Sequence, residues 1–501
     1  MKKVLAAVIL LTLNAVASAQ QIPYLPELFS RYETFNRLYN EKRRAGADLS
    51  AIEPLRLKGE ESFKRGSIPG ILETLGEAIA RLKGLPWDEK QRFSASLTLE
   101  TDRLVIEPNQ TLSVALVRMF PTNVEKAFPA APVVTLEIRS DKLDFQPVAL
   151  AAGLAVAETS TNASRRLLLP DGKYSLVATI TVSGQKVAEV VKPLYAIGNF
   201  SDTLTQMSAT IATIKNSTDP KVKAVAALVS TPEFQLQRLA PLNKMRGEDE
   251  INPIEELDRI EAYLTALSKG ENPFLKERGE VERAYRAADG KLVPYRMYVP
   301  KSYDDSTARP LVLLLHGALG DERYYFSGLF DPEVIKGEAE RRGVILAGVN
   351  GRGRLSGYQG PGLEDSFEVI NAVTRDYKID PARIYVTGHS MGGLGTWLMA
   401  AHRPEMFAAI APVSSGAPGT ADAFAPLLEK IKDIPVLVVH GGKDGIVTPA
   451  RSRDAVAAAK KAGLRVEYLE APEADHMTVL ASTFGAILDF FEKSPKPAPA
   501  K

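Results

Sequence analysis

Apolar positions along the chain pass through four successive regimes. From about Tyr24 to Lys83 the spacing is helical: Leu28, Tyr32, Phe35 and Leu38 recur every three or four residues and so share one face. After a polar stop, Phe63, Ile68, Ile71, Leu72, Leu75 and Ile79 predict a helix, a turn at Gly66-Ser67 and a second helix. The pattern looks like one unit of a helical repeat, but no second copy follows, so residues 20–91 are expected to form a helical region with a packing role.

Between about Arg92 and Phe200 the period changes to two. Phe93, Ala95, Leu97 and Leu99 alternate with polar residues, and Asn109-Gln110 separates two apolar runs. Pro170-Asp171-Gly172 turns the chain into an alternating strand, and Ser183-Gly184-Gln185 closes a hairpin onto Val187 to Val191. Residues 92–200 are therefore expected to be an immunoglobulin-like β-sandwich. It serves as a spacer on the preferred reading and as a substrate- or partner-binding module on the other.

Helical spacing returns over residues 201–270, clearest at Ile254, Leu257, Ile260, Leu264 and Leu267, and implies a helical connector over residues 201–275. Lys269-Gly270-Glu271-Asn272-Pro273 breaks it and marks a domain boundary. Over residues 276–493 the pattern changes once more. Val281 to Ala287 and Leu292 to Val299 pair as a hairpin around Asp289-Gly290. Continuous apolar runs then appear at Leu311–Leu315, Val344–Val349, Ile384–Thr387, Ala408–Val413, Val436–Val439 and Val466–Leu469, separated by helical or loop sequence. Runs apolar on both faces imply a parallel sheet covered by helices on each side. A leading antiparallel hairpin and six parallel strands is the α/β-hydrolase layout, in fold class α/β. The proline-rich end, residues 494–501, is expected to be a disordered tail.

Composition changes this picture in three places. The 501 residues exceed one ordinary core, in keeping with several domains. Charged residues are 25% of the chain and nearly cancel, at a formal net charge of +1, which leaves no basic field for nucleic acid. The first residues read as a signal peptide: Lys2 and Lys3, an apolar run from Val4 to Val16 too short to span a bilayer, and small residues at Ala17 and Ala19 before Gln20. With no cysteine in the chain, neither a disulfide nor a lipid-bearing cysteine is available. Residues 1–19 are expected to be removed and the mature protein to be periplasmic or secreted, without a membrane span. Its oligomeric state is not legible in the sequence.

The candidate chemistry lies in the last domain. Gly388-His389-Ser390-Met391-Gly392 matches G-x-S-x-G, a weak signal by itself given glycine and serine usage of about 7% each. Its context strengthens it, because a buried strand ends at Thr387 and a helix starts near Met391, so that the glycines let Ser390 sit on a sharp, strained turn. A serine hydroxyl needs a neutral imidazole as base and a carboxylate to hold that imidazole's tautomer. Of the five histidines, His316 and His440 end strands, His389 lies inside the turn and His402 at a helix exit; His476 alone falls in a polar loop after the final strand. The acid follows the preceding strand, in the turn His440 to Val447, where Asp444 is preferred to Asp475, the histidine's own neighbour. The order Ser390, Asp444, His476 is the one expected of this fold. Two backbone donors should form an oxyanion hole: Met391 N–H, and Ala318 N–H in the loop His316-Gly317-Ala318-Leu319-Gly320.

Residues 280–493 resemble secreted bacterial esterases related to polyhydroxybutyrate depolymerases, feruloyl and acetyl-xylan esterases, and prolyl-oligopeptidase-like hydrolases. The matching residues are Leu314 to Gly317, Arg383 to Gly393, the turn His440 to Asp444, and His476. The resemblance implies acyl-enzyme chemistry on a small-molecule or polymer-linked ester, with neither metal nor organic cofactor. Two departures are the lack of a cysteine near the oxyanion loop and of a β-propeller ahead of the domain. Leu319, His389 and Tyr358 are candidates to line the substrate pocket, Tyr358 through the loop Asn350 to Tyr358, which reads equally as a Gly-rich solvated loop and whose G-x-G start lacks the third glycine of a dinucleotide site. The expected activity is carboxylic-ester hydrolysis. The alternatives are a serine peptidase of prolyl-oligopeptidase type and a binding protein with an inert hydrolase domain.

Overall fold

The computed structural model describes residues 24–142, 144–245, 251–318, 320–353 and 355–497. The expected signal peptide, the candidate Leu319 and residues 498–501 of the expected tail lie outside the described residues. The chain divides into two compact units between Glu271 and Asn272, close to the boundary predicted from the break at Lys269 to Pro273.

The first unit begins with helices Leu25–Arg44, Glu53–Lys64 and Ile68–Leu82. Gly66 takes φ +68° and Ser67 caps the third helix, its hydroxyl accepting from Gly70 N–H at 3.1 Å, as the predicted turn requires. Eight strands follow: β1 Leu97–Thr101, β2 Val105–Ile106, β3 Thr111–Arg118, β4 Val133–Arg139, β5 Val148–Ala155, β6 Ser160–Arg166, β7 Gly172–Val182 and β8 Gln185–Ala196. They form a three-stranded sheet, β1-β3-β6, and a five-stranded sheet, β2-β8-β7-β4-β5. Leu112, Val114 and Leu116 of one sheet share a core with Leu136, Leu176 and Ile180 of the other. The β7–β8 hairpin turns at Ser183 (φ 50°) and Gly184 (φ 80°), the two left-handed positions of a tight two-residue loop.

Strand structure does not begin at Arg92. Residues Glu89–Ser96 form a helix, capped by Asp88, which accepts Gln91 N–H at 2.9 Å. Phe93 and Ser96 are its buried positions, a three-residue spacing that the alternation of Phe93 with Leu97 and Leu99 conceals. The helices Phe200–Lys215, Pro220–Val225, Ser230–Leu239 and Pro253–Ser268 do not hang as a loose linker. The chain beyond the third of them accepts at Leu242 O from the N–H groups of Leu104 and Val105, both at 2.9 Å.

In the second unit strands β9 Gly279–Arg286, β10 Leu292–Val299, β11 Arg309–Leu315, β12 Ile345–Val349, β13 Ile379–His389, β14 Ala409–Val413, β15 Val436–Gly441 and β16 Val466–Ala471 form one sheet, ordered β16-β15-β14-β13-β11-β12-β10-β9. The strands from β11 to β16 are mutually parallel; β10 pairs antiparallel with β12, and β9 pairs antiparallel with β10 at the edge. This is the α/β-hydrolase order, with the crossover between β12 and β13. Leu311, Leu313 and Leu315 enter the core beneath the helices Pro361–Asp376, Met391–His402, Ala421–Lys430 and Pro449–Lys461. Val312 and Leu314 enter the opposite core, under Pro332–Arg342 and Val479–Glu492. Burial on both faces is why the strands read as unbroken apolar runs.

Residues 494–497 are not a free tail. Lys496 N–H donates to Ala382 O and its ammonium to Met406 O, both at 2.9 Å, so main-chain carbonyls of the second unit hold the segment despite its prolines. Among the described residues no helix is long and apolar enough to cross a membrane.

Candidate active site

Parallel pairing brings the C-terminal ends of β11, β13, β14 and β15 to one edge of the sheet, where the chemistry-bearing loops begin. At the end of β13, Ser390 adopts φ 57°, ψ −114°, a strained conformation for a residue with a side chain. The surrounding glycines make that turn possible. A Cβ on Gly388 would overlap Gly392 O, and one on Gly393 would come within 2.6 Å of Ser415 Oγ and 2.8 Å of Val413 O. The elbow is fixed by Ser390 N–H donating to Val413 O at 2.8 Å.

Asp444 and His476 meet as predicted, with His476 Nδ1 2.7 Å from Asp444 Oδ2, and both residues are buried. A carboxylate only accepts, so Nδ1 carries the proton and Nε2 is left with a lone pair. Asp444 is unusually well supplied with donors. Its Oδ1 accepts the N–H groups of Ile446 and Val447, each at 2.9 Å. His440 Nε2 lies 3.2 Å from Oδ2 and 2.9 Å from Val447 O, so it too carries a proton, while His440 Nδ1 accepts from Ser452 Oγ at 2.6 Å. Burial pushes the Asp444 carboxyl up, but the hydrogen bonds from His440, His476 and the backbone outweigh it and hold the group well below the usual carboxylate range. His440 is thus a second imidazole on the same carboxylate, a role its place at a strand end did not disclose.

Ser390 Oγ makes no hydrogen bond to the His476 ring among the described residues. What joins the two turns is His389. Its Nε2 is 2.7 Å from His476 O and its Nδ1 2.8 Å from Tyr324 Oη. Because a carbonyl only accepts, Nε2 holds the proton and Nδ1 receives the tyrosine hydroxyl.

Of the candidate oxyanion donors, Met391 opens the helix Met391–His402 and Ala318 lies in the turn after β11. Neither N–H is committed to a backbone acceptor among the described residues. His316 sits behind Ala318, wedged between the carbonyls of Gly317 (2.7 Å) and Asn350 (2.9 Å). Asn350 in turn donates to Glu322 Oε2 at 2.7 Å. Burial, with Asp321 adding to it, pushes the Glu322 carboxyl up.

Two of the expected pocket residues are buried away from solvent. Tyr358 and His389 are both 0% exposed. Tyr358 packs its ring over Gly395 and Gly351 and donates its hydroxyl to His316 O at 3.2 Å, which ties it to the chain just after β11. His389 is engaged at both ring nitrogens, as above. Neither the place of His389 inside the elbow nor the loop that carries Tyr358 gave information about which way the side chain points. His402, given no catalytic part, stands 3.0 Å from Glu364 Oε1 at the helix exit.

The buried His389 has a consequence for stability. Burial, and then the neighbouring His476, holds its pKa well below the ordinary 6.5. Below about pH 6.5 the unfolded chain therefore binds a proton that the folded chain refuses, and stability falls with pH by up to about 1.4 kcal/mol per unit. Urea unfolding between about pH 7 and pH 5 should show this decline, with a shallower slope in His389→Gln. A flat profile for the wild-type protein would contradict the placement of a neutral imidazole here.

Comparison with known proteins agrees in kind. A model of the prolyl oligopeptidase family matches residues 341–417, which contain β12, β13, the elbow and β14. A bifunctional acetylxylan esterase/xylanase of Neocallimastix patriciarum is 26% identical over 167 residues, covering 32% of this chain and 23% of the relative. A probable feruloyl esterase C of Aspergillus terreus is 31% identical over 157 residues, covering 30% of this chain and 57% of the relative. The chain thus spans less than two thirds of the length of these curated relatives. Among solved structures, the feruloyl esterase module of Clostridium thermocellum, an S954A mutant complexed with sinapinate, aligns at a TM-score of 0.38 and 20% identity, over 44% of this chain and 91% of that one.

Proposed function

We propose that the chain is an exported serine hydrolase that cleaves carboxylic esters through an acyl-enzyme formed on Ser390. The observation that carries this reading is the Asp444–His476 hydrogen bond at 2.7 Å, which leaves a basic Nε2 on a loop tied to the residue before a strained serine. Ser390 attacks the ester carbonyl as His476 takes its proton, and Asp444 stabilises the imidazolium. Met391 and Ala318 N–H receive the oxyanion, each worth of order 3 kcal/mol of barrier in comparable sites. His476 returns the proton to the leaving alcohol, and water then releases the acid by the reverse sequence. The missing Ser390–His476 hydrogen bond is of the kind that tightens only when substrate is bound. The esterase names of the relatives favour acyl or aryl esters of small molecules or of polymers as substrates. We read the two-sheet region as an immunoglobulin-like spacer, and residues 1–19 as the export signal of a periplasmic or secreted protein.

A second reading, a serine peptidase, is favoured by the prolyl oligopeptidase match. The protein recovered from the periplasm or medium is expected to begin at Gln20 and to turn over p-nitrophenyl acetate, methyl ferulate or acetylated xylan well above proline p-nitroanilides. Faster cleavage of the anilides would replace the esterase reading by the peptidase one. Failure of a fluorophosphonate probe to label the wild-type protein would leave neither.

A further inference from the structure

Tyr324 and His389 stand outside the steps above, yet they lie between the two loops that those steps use. The phenol ring of Tyr324 is a mould for the oxyanion loop: a Cβ on Gly317 would overlap Tyr324 Oη and lie 3.3 Å from His389 Nδ1, and one on Gly320 would come within 2.5 Å of the Tyr324 ring. Both glycines flank Ala318 closely in sequence. On the other side, His389 is fully buried, with its ring centroid 4.5 Å from that of His476 and its Nε2–H on the His476 carbonyl. The tautomer of His389 is set from the His476 end, because a carbonyl only accepts and so keeps the proton on Nε2, and the Tyr324 hydroxyl donates to the lone pair left on Nδ1.

We propose that Tyr324 and His389 are positioning residues of the hydrolytic centre, a two-bond chain that holds the oxyanion loop and the turn bearing His476 in register around Ser390. The chain acts through the backbone of residue 476, leaving the imidazole free to swing onto the serine. Losing the Tyr324 hydroxyl leaves His389 Nδ1 without its donor and the ring held only at the His476 carbonyl, so the turn bearing His476 is no longer tied to the oxyanion loop. Small misplacements of a base relative to its nucleophile are enough to slow turnover on the order of 100-fold. Neither residue contacts substrate, so the effect belongs in kcat.

The inference rests on the assignment of Ser390 and His476, and the experiment separates the two. Labelling of the wild-type protein by a fluorophosphonate, lost in Ser390→Ala, tests that assignment; an unlabelled wild type would remove both readings together. With labelling established, Tyr324→Phe keeps the ring against Gly317 and Gly320 and deletes only the hydroxyl. It is expected to lower kcat for a p-nitrophenyl ester roughly 10- to 100-fold with KM within about twofold and little change in Tm. His389→Leu should do the same, His389→Gln, which keeps an N–H donor, should recover most of the loss, and Tyr324→Phe added to His389→Leu should cost nothing more, since both break one chain. Wild-type kcat in Tyr324→Phe, or equal activity of the Gln and Leu variants, would overturn the proposal while leaving the triad intact.

Discussion

Ser390→Ala is expected to abolish fluorophosphonate labelling and to lower ester turnover on the order of 10⁶-fold, while Asp444→Asn keeps the nucleophile and loses about 10⁴-fold in kcat. The second figure follows from the donors around residue 444. Ile446 and Val447 N–H both point at Oδ1, so an asparagine there must place its oxygen at that position and its amide NH₂ where Oδ2 now lies. The NH₂ then faces His476 Nδ1, which currently donates at 2.7 Å, and the N–H of His440 at 3.2 Å. His476 can meet that donor only by moving its own proton to Nε2, which removes the base from the serine. Labelling of Asp444→Asn should be slow but detectable. Turnover within tenfold of wild type in that variant would show that Asp444 is not the partner on which the imidazole depends.

The parts of this arrangement that were legible in the sequence are those fixed by the main chain. Parallel strands buried on both faces leave unbroken apolar runs, and the run ending at Thr387 with Gly388, Gly392 and Gly393 around Ser390 announces a strand-to-helix turn. His476 could be reached because the other four histidines sit at strand ends, in the elbow or at a helix exit. What the sequence hid is the direction of side chains. His389 and Tyr358 are near the serine in the chain or in the loop order, but both face inward, where they carry hydrogen bonds rather than substrate. Tyr324 belongs to no motif, and its only trace is indirect: two glycines, 317 and 320, in a loop that something bulky must fill against. The helix Glu89–Ser96 was masked for a different reason, since Phe93, Leu97 and Leu99 satisfy an alternating pattern even though the first of them is helical.

Gly392→Ala is expected to be among the most damaging single-methyl changes in the chain. Its Cβ would overlap Leu315 O and lie 2.6 Å from Leu315 C and 2.8 Å from His316 O, all main-chain atoms where β11 runs into the oxyanion loop. No side chain is available to rotate away, so the helix Met391–His402 has to lift from β11, carrying Met391 N–H and Ser390 with it. Overpacking of this kind costs about 3 kcal/mol, which for a unit of this size lowers Tm by roughly 6–12 °C. Activity should fall further than stability, because the displacement opens the oxyanion hole itself. Gly337→Ala supplies the contrast: that residue lies within the helix Pro332–Arg342 with nothing within 4 Å of a new Cβ. There the alanine should raise stability by up to about 1 kcal/mol through helix propensity alone. Thermal melts and ester turnover of the two variants, measured side by side, distinguish a steric seat under Gly392 from a general sensitivity of the fold to added methyl groups. Equal and small shifts in both would mean that helix and strand do not abut where the elbow requires them to.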